Sequence, residues 1–114
     1  MSSINRLYAK DNYTVQKSIN LEDSLYTKLK EIIDKDFDAT ISDVVNVCIE
    51  DLISKEENIK YYPKPENEIT SYRSVMIRRK NVEALNKITQ NTGISLTRLV
   101  NIAMKEFIEK YENK

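Results

Sequence analysis

The hydrophobic residues of this chain change their spacing in the same way at two places. Residues 15–21 and 72–77 alternate between apolar and polar side chains, which is typical of an extended strand with one buried face. After each of these segments the apolar residues recur every three or four positions, as in an amphipathic helix. The apolar strand positions are Val15, Ile19, Leu21, Val75 and Ile77. The pattern predicts two copies of a unit made of one strand followed by two helices.

The two copies align with each other along most of their length. Residues 13–55 and 72–110 follow the same plan, with an offset of 56 in their early parts and 55 in their later parts. Ser18 then coincides with Ser74, and Asn46 with Asn101. The core positions predicted for the first copy are Ile19, Leu21, Leu25, Tyr26, Leu29, Ile32, Val44, Val45, Cys48, Ile49, Leu52 and Ile53. Those predicted for the second copy are Val75, Ile77, Val82, Leu85, Ile88, Leu99, Val100, Ala103, Met104, Phe107 and Ile108.

The second helix of each copy has a recognisable start. Thr40 and Asp43 have the spacing of a capping box, in which the threonine hydroxyl accepts from the amide three residues later. Ser95 is the equivalent cap in the second copy, and Gly93 just before it is expected to end the preceding helix.

These patterns give the domain organisation that the sequence predicts. Residues 1–12 are expected to be a flexible N-terminal arm, and residues 13–55 form the first unit. Residues 56–70 contain both prolines of the chain and are expected to be an extended, exposed linker. Residues 71–114 form the second unit. One strand and two helices cannot bury their own apolar faces, so the two units are expected to share one compact domain.

The composition excludes several classes of protein. Of the 114 residues, 40% are hydrophobic and 32% are charged, which favours a globular cytoplasmic protein without a membrane span. There is no histidine, one glycine and one cysteine, Cys48, which lies in an apolar stripe and is expected to be buried. The usual nucleophile–base pairs, His/Cys metal sites and glycine-rich phosphate loops are therefore missing. We expect no enzyme activity, no cofactor, no metal site and no small-molecule ligand.

Charge is distributed unevenly although the formal net charge is zero. Residues 22–57 contain eleven acidic and four basic residues, whereas residues 58–114 contain eleven basic and six acidic ones. The tightest basic group is Arg78, Arg79 and Lys80, preceded by Arg73. Such an asymmetry can give a neutral protein one basic face.

Two such units can pair through their strands to form a two-stranded antiparallel ribbon over four helices. Each copy resembles the ribbon-helix-helix motif of Arc-type and methionine-repressor-type regulators. The resemblance depends on the short alternating strand, a central leucine in the first helix, a Thr or Ser cap and an apolar pair in the second helix. The leucines are Leu29 and Leu85, and the pairs are Val44-Val45 and Leu99-Val100. The expected fold class is mostly α with a short β-ribbon, an intramolecular pseudo-dimer of two ribbon-helix-helix units.

The resemblance implies binding of double-stranded DNA, with the ribbon in the major groove. It assigns base reading to the outward strand residues, which are Gln16, Ser18, Asn20, Tyr72, Ser74 and Met76. It assigns phosphate contacts to the amino-terminus of each second helix, to the strand-to-helix junction and to two charged strand residues. These residues are Lys17, Thr40, Ile41, Ser42, Arg73, Arg78, Arg79, Lys80, Ser95, Leu96 and Thr97.

Several positions depart from the pattern of the family. Glu22 and Arg78 stand where a proline usually follows the strand, and Lys17 and Arg73 fall on the nominally inward face. Met76 points outward, where it can touch a thymine methyl group but makes no hydrogen bond. If Ser18 faces Ser74 in the ribbon, Asn20 faces Tyr72 and Gln16 faces Met76. Because the two strands differ, we expect an asymmetric DNA site, or one strict and one relaxed half-site.

The sequence leaves three functions open. The first is a transcriptional repressor of prokaryotic, plasmid or viral origin, which binds double-stranded DNA and cooperates with further copies of itself on adjacent sites. The second is an accessory DNA-binding factor of plasmid transfer or partition. The third is a helical protein-interaction module without a DNA role, which the zero net charge favours.

Overall fold

The computed structural model describes residues 13–113, so the predicted arm at residues 1–12 lies outside the described residues. A strand followed by two helices occurs twice, in the predicted order. The elements of the first half are β1 (Thr14–Glu22), α1 (Asp23–Asp36) and α2 (Ile41–Ile53). Those of the second half are β2 (Thr70–Arg78), α3 (Arg79–Thr92) and α4 (Leu96–Glu112). The molecule is mostly helical, as predicted.

The two strands pair with each other in an antiparallel two-stranded sheet. Ser18 lies opposite Ser74, so the predicted register is confirmed. Both strands are longer than predicted, and the pairing continues into the first residue of the helix that follows each strand. The amide of Asp23 donates to the carbonyl of Ile69 (2.9 Å), and the amide of Arg79 donates to that of Tyr13 (3.0 Å). These two bonds stand at corresponding positions of the two halves.

The inner face of the ribbon packs on the helices. Ile19 and Leu21 of β1 and Val75 and Ile77 of β2 are fully or almost fully buried. The outward residues that alternate with them are exposed, apart from the partly buried Asn20, so each strand shows the alternation that its sequence predicts. A ribbon of two strands is marginal by itself in water, and this apolar face is what attaches it to the rest of the fold.

The core lies between the ribbon and the apolar faces of the four helices. Most of the predicted core residues are buried, whereas Leu25, Tyr26, Ile53 and Phe107 are only partly buried and pack against the edge of the core. Ile102 was not predicted and is completely buried. None of the helices within residues 13–113 combines the length and the apolar character needed to span a bilayer.

The predicted helix ends are confirmed. The hydroxyl of Thr40 accepts from the amide of Asp43 and the Asp43 carboxylate accepts from the amide of Thr40, both at 3.1 Å. In the second half, Ser95 Oγ accepts from the amide of Arg98, also at 3.1 Å. Gly93 ends α3 with a φ of 80°, a left-handed conformation that favours glycine.

The linker prediction is partly wrong. Glu56–Asn58 forms a single 3₁₀ turn, and Thr70 already belongs to β2. Ile59 and Tyr62 pack against the core, because burying these apolar side chains is favourable in an otherwise polar segment. The Tyr62 ring also lies 5.1 Å from Nζ of Lys105 on α4. The connecting segment is therefore anchored on α4.

Candidate nucleic-acid interface

The outer face of the ribbon presents the six side chains predicted to read bases. They are Gln16, Ser18 and Asn20 from β1 and Tyr72, Ser74 and Met76 from β2. Asn20 is partly buried and the other five are exposed, with Tyr72 at 74% and Met76 at 41%. None of the six is charged. The structure thus brings all six together on one neutral, solvent-exposed face, which we call the outer ribbon face.

One hydrogen bond orders the outer ribbon face. The side-chain Nε2 of Gln16 on β1 donates to Oγ of Ser74 on β2, the diagonal neighbour across the ribbon. The glutamine amide has two N–H donors and one carbonyl acceptor. The bond to Ser74 uses one donor and leaves one N–H and the carbonyl oxygen for another partner.

A buried asparagine ties α2 to the opposite strand. Nδ2 of Asn46 donates to the carbonyl of Met76 and to that of Ser42, each at 2.9 Å. Its Oδ1 accepts from the amide of Arg78 (2.9 Å) and from Nδ2 of Asn81 (3.0 Å). Asn46 is only 4% exposed, so its amide serves as a buried hydrogen-bonding link between α2, β2 and α3.

Asn101 makes the same link at the corresponding positions of the other half. Its Nδ2 donates to the carbonyls of Asn20 (3.1 Å) and Thr97 (2.9 Å), and its Oδ1 accepts from the amide of Glu22 (2.9 Å). Each half thus holds the strand of the other half. The sequence alignment singled out Asn46 and Asn101 as coincident residues but did not predict this role.

The amino-termini of α2 and α4 lie beside the two ends of the ribbon. Ser42 Oγ accepts from the amide of Met76 (3.1 Å), and Thr97 is linked to Asn20 through Asn101. The first amides of a helix have no partner within the helix and carry the positive end of its dipole. The predicted phosphate-contacting residues of these two termini are therefore adjacent to the outer ribbon face. They are Thr40, Ile41, Ser42, Ser95, Leu96 and Thr97.

The basic side chains at the end of β2 are exposed and make surface ion pairs. Arg78 pairs with Glu50 at 3.1 Å, and Arg79 pairs with Glu83 at 3.2 Å. Lys80 is exposed as well. Exposed ion pairs contribute little free energy, so these cations can exchange their carboxylate partners for phosphate.

Arg73 and Lys17, the two charged residues on the inward side of the strands, are less exposed than the basic side chains at the end of β2. The Arg73 guanidinium lies 3.8 Å from the centre of the Tyr26 ring on α1 and 3.6 Å from Oδ1 of Asp23. Lys17 is partly buried at the equivalent inward position of β1. A phosphate contact from Arg73 stays a prediction, and it would require the arginine to leave the tyrosine ring.

The two ends of the ribbon differ in charge. Glu22 of β1 corresponds to Arg78 of β2, and it is 4% exposed and paired with Arg98 at the start of α4. The start of α2 carries Asp43 where α4 carries Arg98. A carboxylate at a helix amino-terminus competes with any other anion for the same amides. The structure is therefore electrostatically asymmetric although its backbone repeats.

Cys48, the single cysteine of the chain, is buried in the core beneath the ribbon. Burial, with a smaller contribution from Asp51, raises the pKa of the Cys48 thiol from its ordinary value of 9.0 to about 12. The thiol is therefore protonated and unreactive at neutral pH. Within residues 13–113 no three His, Cys, Asp or Glu side chains are grouped as a metal ion would need.

Comparison of the chain with protein-family models, with curated proteins and with solved structures gives no match.

Proposed function

We propose that this chain is a sequence-specific double-stranded DNA-binding protein that inserts its β-ribbon into the major groove. We further propose that its halves are two ribbon-helix-helix units, which fold on each other as an intramolecular pseudo-dimer. The reciprocal bonds of Asn46 and Asn101 support this pairing, because each asparagine holds the strand of the other half.

The observation that carries the proposal is the outer ribbon face. A two-stranded ribbon has the width that B-DNA's major groove admits, and short polar side chains can reach base edges there. Hydrogen-bonding groups on Gln16, Ser18, Asn20 and Ser74 point away from the helices that support the ribbon. Tyr72 and Met76 also remain exposed, at the two ends of this face, although burying such large side chains would be favourable.

The surroundings of the ribbon supply phosphate contacts. The amino-termini of α2 and α4 flank its ends, and a helix amino-terminus favours an anion. Arg79 and Lys80 add exposed positive charge next to one end. Phosphate contacts of this kind orient a protein on the duplex, while base contacts give the specificity.

The direct test is binding of the full chain to random and genomic DNA fragments at several salt concentrations. We expect retained fragments to share a sequence, and affinity to fall as salt rises. Lys80→Ala should weaken binding to every fragment, whereas Lys30→Ala, an exposed lysine on α1, should not. Tyr72→Ala should reduce discrimination between fragments, and Tyr61→Ala in the connecting segment is its matched control. Absence of binding, or equal behaviour of each variant and its control, would refute the proposal.

We also propose that binding represses transcription, because a protein seated in the major groove of a promoter competes with polymerase for the same DNA. A reporter placed behind the selected site should lose expression when the chain is present. Unchanged expression with the site occupied would instead favour an accessory role in DNA transfer or partition.

A further inference from the structure

The two strands contribute different chemical groups to the outer ribbon face. Both ends of β1 carry a primary amide, on Gln16 and Asn20, and both ends of β2 carry an apolar or aromatic side chain, on Met76 and Tyr72. In the observed register Gln16 lies opposite Met76, and Asn20 lies opposite Tyr72. Each end of the face therefore presents one amide next to one group that can contact a methyl.

These groups match one kind of base pair. Asn and Gln pair with adenine through N6 and N7, and apolar groups contact the thymine methyl, whereas guanine is recognised mainly by Arg or Lys. The outer ribbon face carries no Arg or Lys. Of the three cations within β1 and β2, Arg73 lies on the Tyr26 ring on the inward side and Lys17 is also inward. The third, Arg78, is the last residue of β2, beyond Met76, and pairs with Glu50 on α2.

Gln16 keeps the hydrogen-bonding groups that adenine requires. Its bond to Ser74 Oγ occupies one N–H and leaves one N–H and Oε1. Adenine offers N7 as an acceptor and N6–H as a donor, so the free pair of amide groups is complementary to it. Holding the amide in place before binding reduces the entropy that is lost on binding.

Resting on the function proposed above, we propose that the ribbon recognises A·T pairs whose adenines lie on one DNA strand and whose thymines lie on the other. A two-stranded ribbon lying along a groove about 12 Å wide places one β-strand nearer each DNA strand. The amides of β1 then face the adenine strand, and Met76 and Tyr72 of β2 face the thymine strand. The DNA site is directional and is not a palindrome.

The first experiment is selection of bound sequences from random duplex DNA by the full chain at fixed salt. We expect a core of A·T pairs with the adenines on one strand. Enrichment of a G·C core, or of a palindromic A·T core, would overturn this inference and leave the proposed function standing. No enrichment at all would overturn both.

The second experiment removes single groups from the selected duplex. Replacing thymine by uracil removes the methyl group, and should weaken binding by about threefold to fivefold per contacted base on the thymine strand only. Met76→Ala should abolish this effect at the end of the site that Met76 contacts. An equal loss from uracil on either strand would contradict the strand assignment.

The amide contact is tested in the same way. Replacing adenine by 7-deazaadenine removes the N7 acceptor, and should weaken binding by about 5- to 150-fold at the contacted adenine. Gln16→Ala should remove this sensitivity, while Gln90→Ala, an exposed glutamine on α3, should retain it. Far-UV circular dichroism verifies that each variant is folded. Full sensitivity in a folded Gln16→Ala protein would overturn the role of Gln16.

Discussion

At the scale of single residues, two buried asparagines connect the halves of the molecule. The side chains of Asn46 and Asn101 form hydrogen bonds with backbone groups at the strand ends, which would otherwise bond to water. A buried polar group is tolerated only when its hydrogen bonds are satisfied, and here both amides are. An apolar residue would fit the core by volume but would leave the strand carbonyls and amides without partners.

We predict that Asn46→Ala lowers the free energy of unfolding by about 1–3 kcal/mol, because it leaves buried donors and acceptors unpaired. Asn101→Ala should have a similar effect. Asn86→Ala, on the exposed side of α3, is the matched control and should change stability little. Urea denaturation measures all three, and a stability loss confined to one of the two buried positions would contradict the equivalent roles assigned here.

Cys48 gives a prediction about pH and reactivity. Its pKa of about 12 in the folded protein means that the thiol stays protonated at pH 8, so a thiol reagent should react with it only after unfolding. Because folding raises this pKa, the thiol's contribution to stability is complete below about pH 9 and declines as the pH rises towards 12. Unfolding curves of the native protein and of Cys48→Val over this range isolate the contribution. Rapid labelling of the folded protein at pH 8 would contradict the burial.

At the scale of elements, α2 and α4 occupy equivalent places but begin differently. Both have a hydroxyl cap, while only α2 has a carboxylate that closes the capping box. The Asp43 carboxylate stabilises the helix because it lies at the positive end of the dipole. The same charge repels a phosphate at that terminus, so helix stability and the proposed DNA contact are in conflict at α2.

Asp43→Asn tests this conflict, since asparagine keeps an oxygen acceptor for the Thr40 amide and removes the charge. We expect a slightly lower melting temperature together with about twofold to fivefold tighter DNA binding at low salt. The gain should fade as salt rises. Asp51→Asn, an exposed position further along α2, is the control. Weaker DNA binding by Asp43→Asn would show that α2 does not face a phosphate.

At the scale of the whole molecule, both strands of the ribbon belong to one polypeptide. In the structure β1 pairs with β2 of the same chain, and Tyr62 of the segment between α2 and β2 lies against Lys105 on α4. Since neither strand has another partner within residues 13–113, the ribbon and the core beneath it are expected to form and unfold together.

We therefore predict that the midpoint of thermal unfolding stays the same when the protein concentration is varied about hundredfold. The reason is that no association step is linked to folding. Circular dichroism at dilute and concentrated samples measures this. Sedimentation of the folded chain in the absence of DNA should give the mass of a monomer. A midpoint that rises with concentration would mean that strands pair between chains.

The sequence by itself determined the order of elements, the helix ends and the register of the ribbon. It could do so because the first two depend on local spacing and on capping residues. The register follows from the alignment of the two copies once their strands pair about a local two-fold axis, which places Ser18 opposite Ser74. It also determined which strand residues point outward, since side chains alternate along a strand. The six residues of the outer ribbon face follow from that rule.

The tertiary structure alone decided how equivalent residues differ. Val47 and Ile102 stand at corresponding positions, yet Val47 is 45% exposed and Ile102 is completely buried. Ile102 shares its face of α4 with Lys105, which lies over the Tyr62 ring of the connecting segment. That segment occurs once in the chain, so its contact with Lys105 makes the surroundings of α4 differ from those of α2. The sequence also did not predict the strand partners of Asn46 and Asn101 or the ring partner of Arg73. These partners lie far away in the sequence, and only folding brings them into contact.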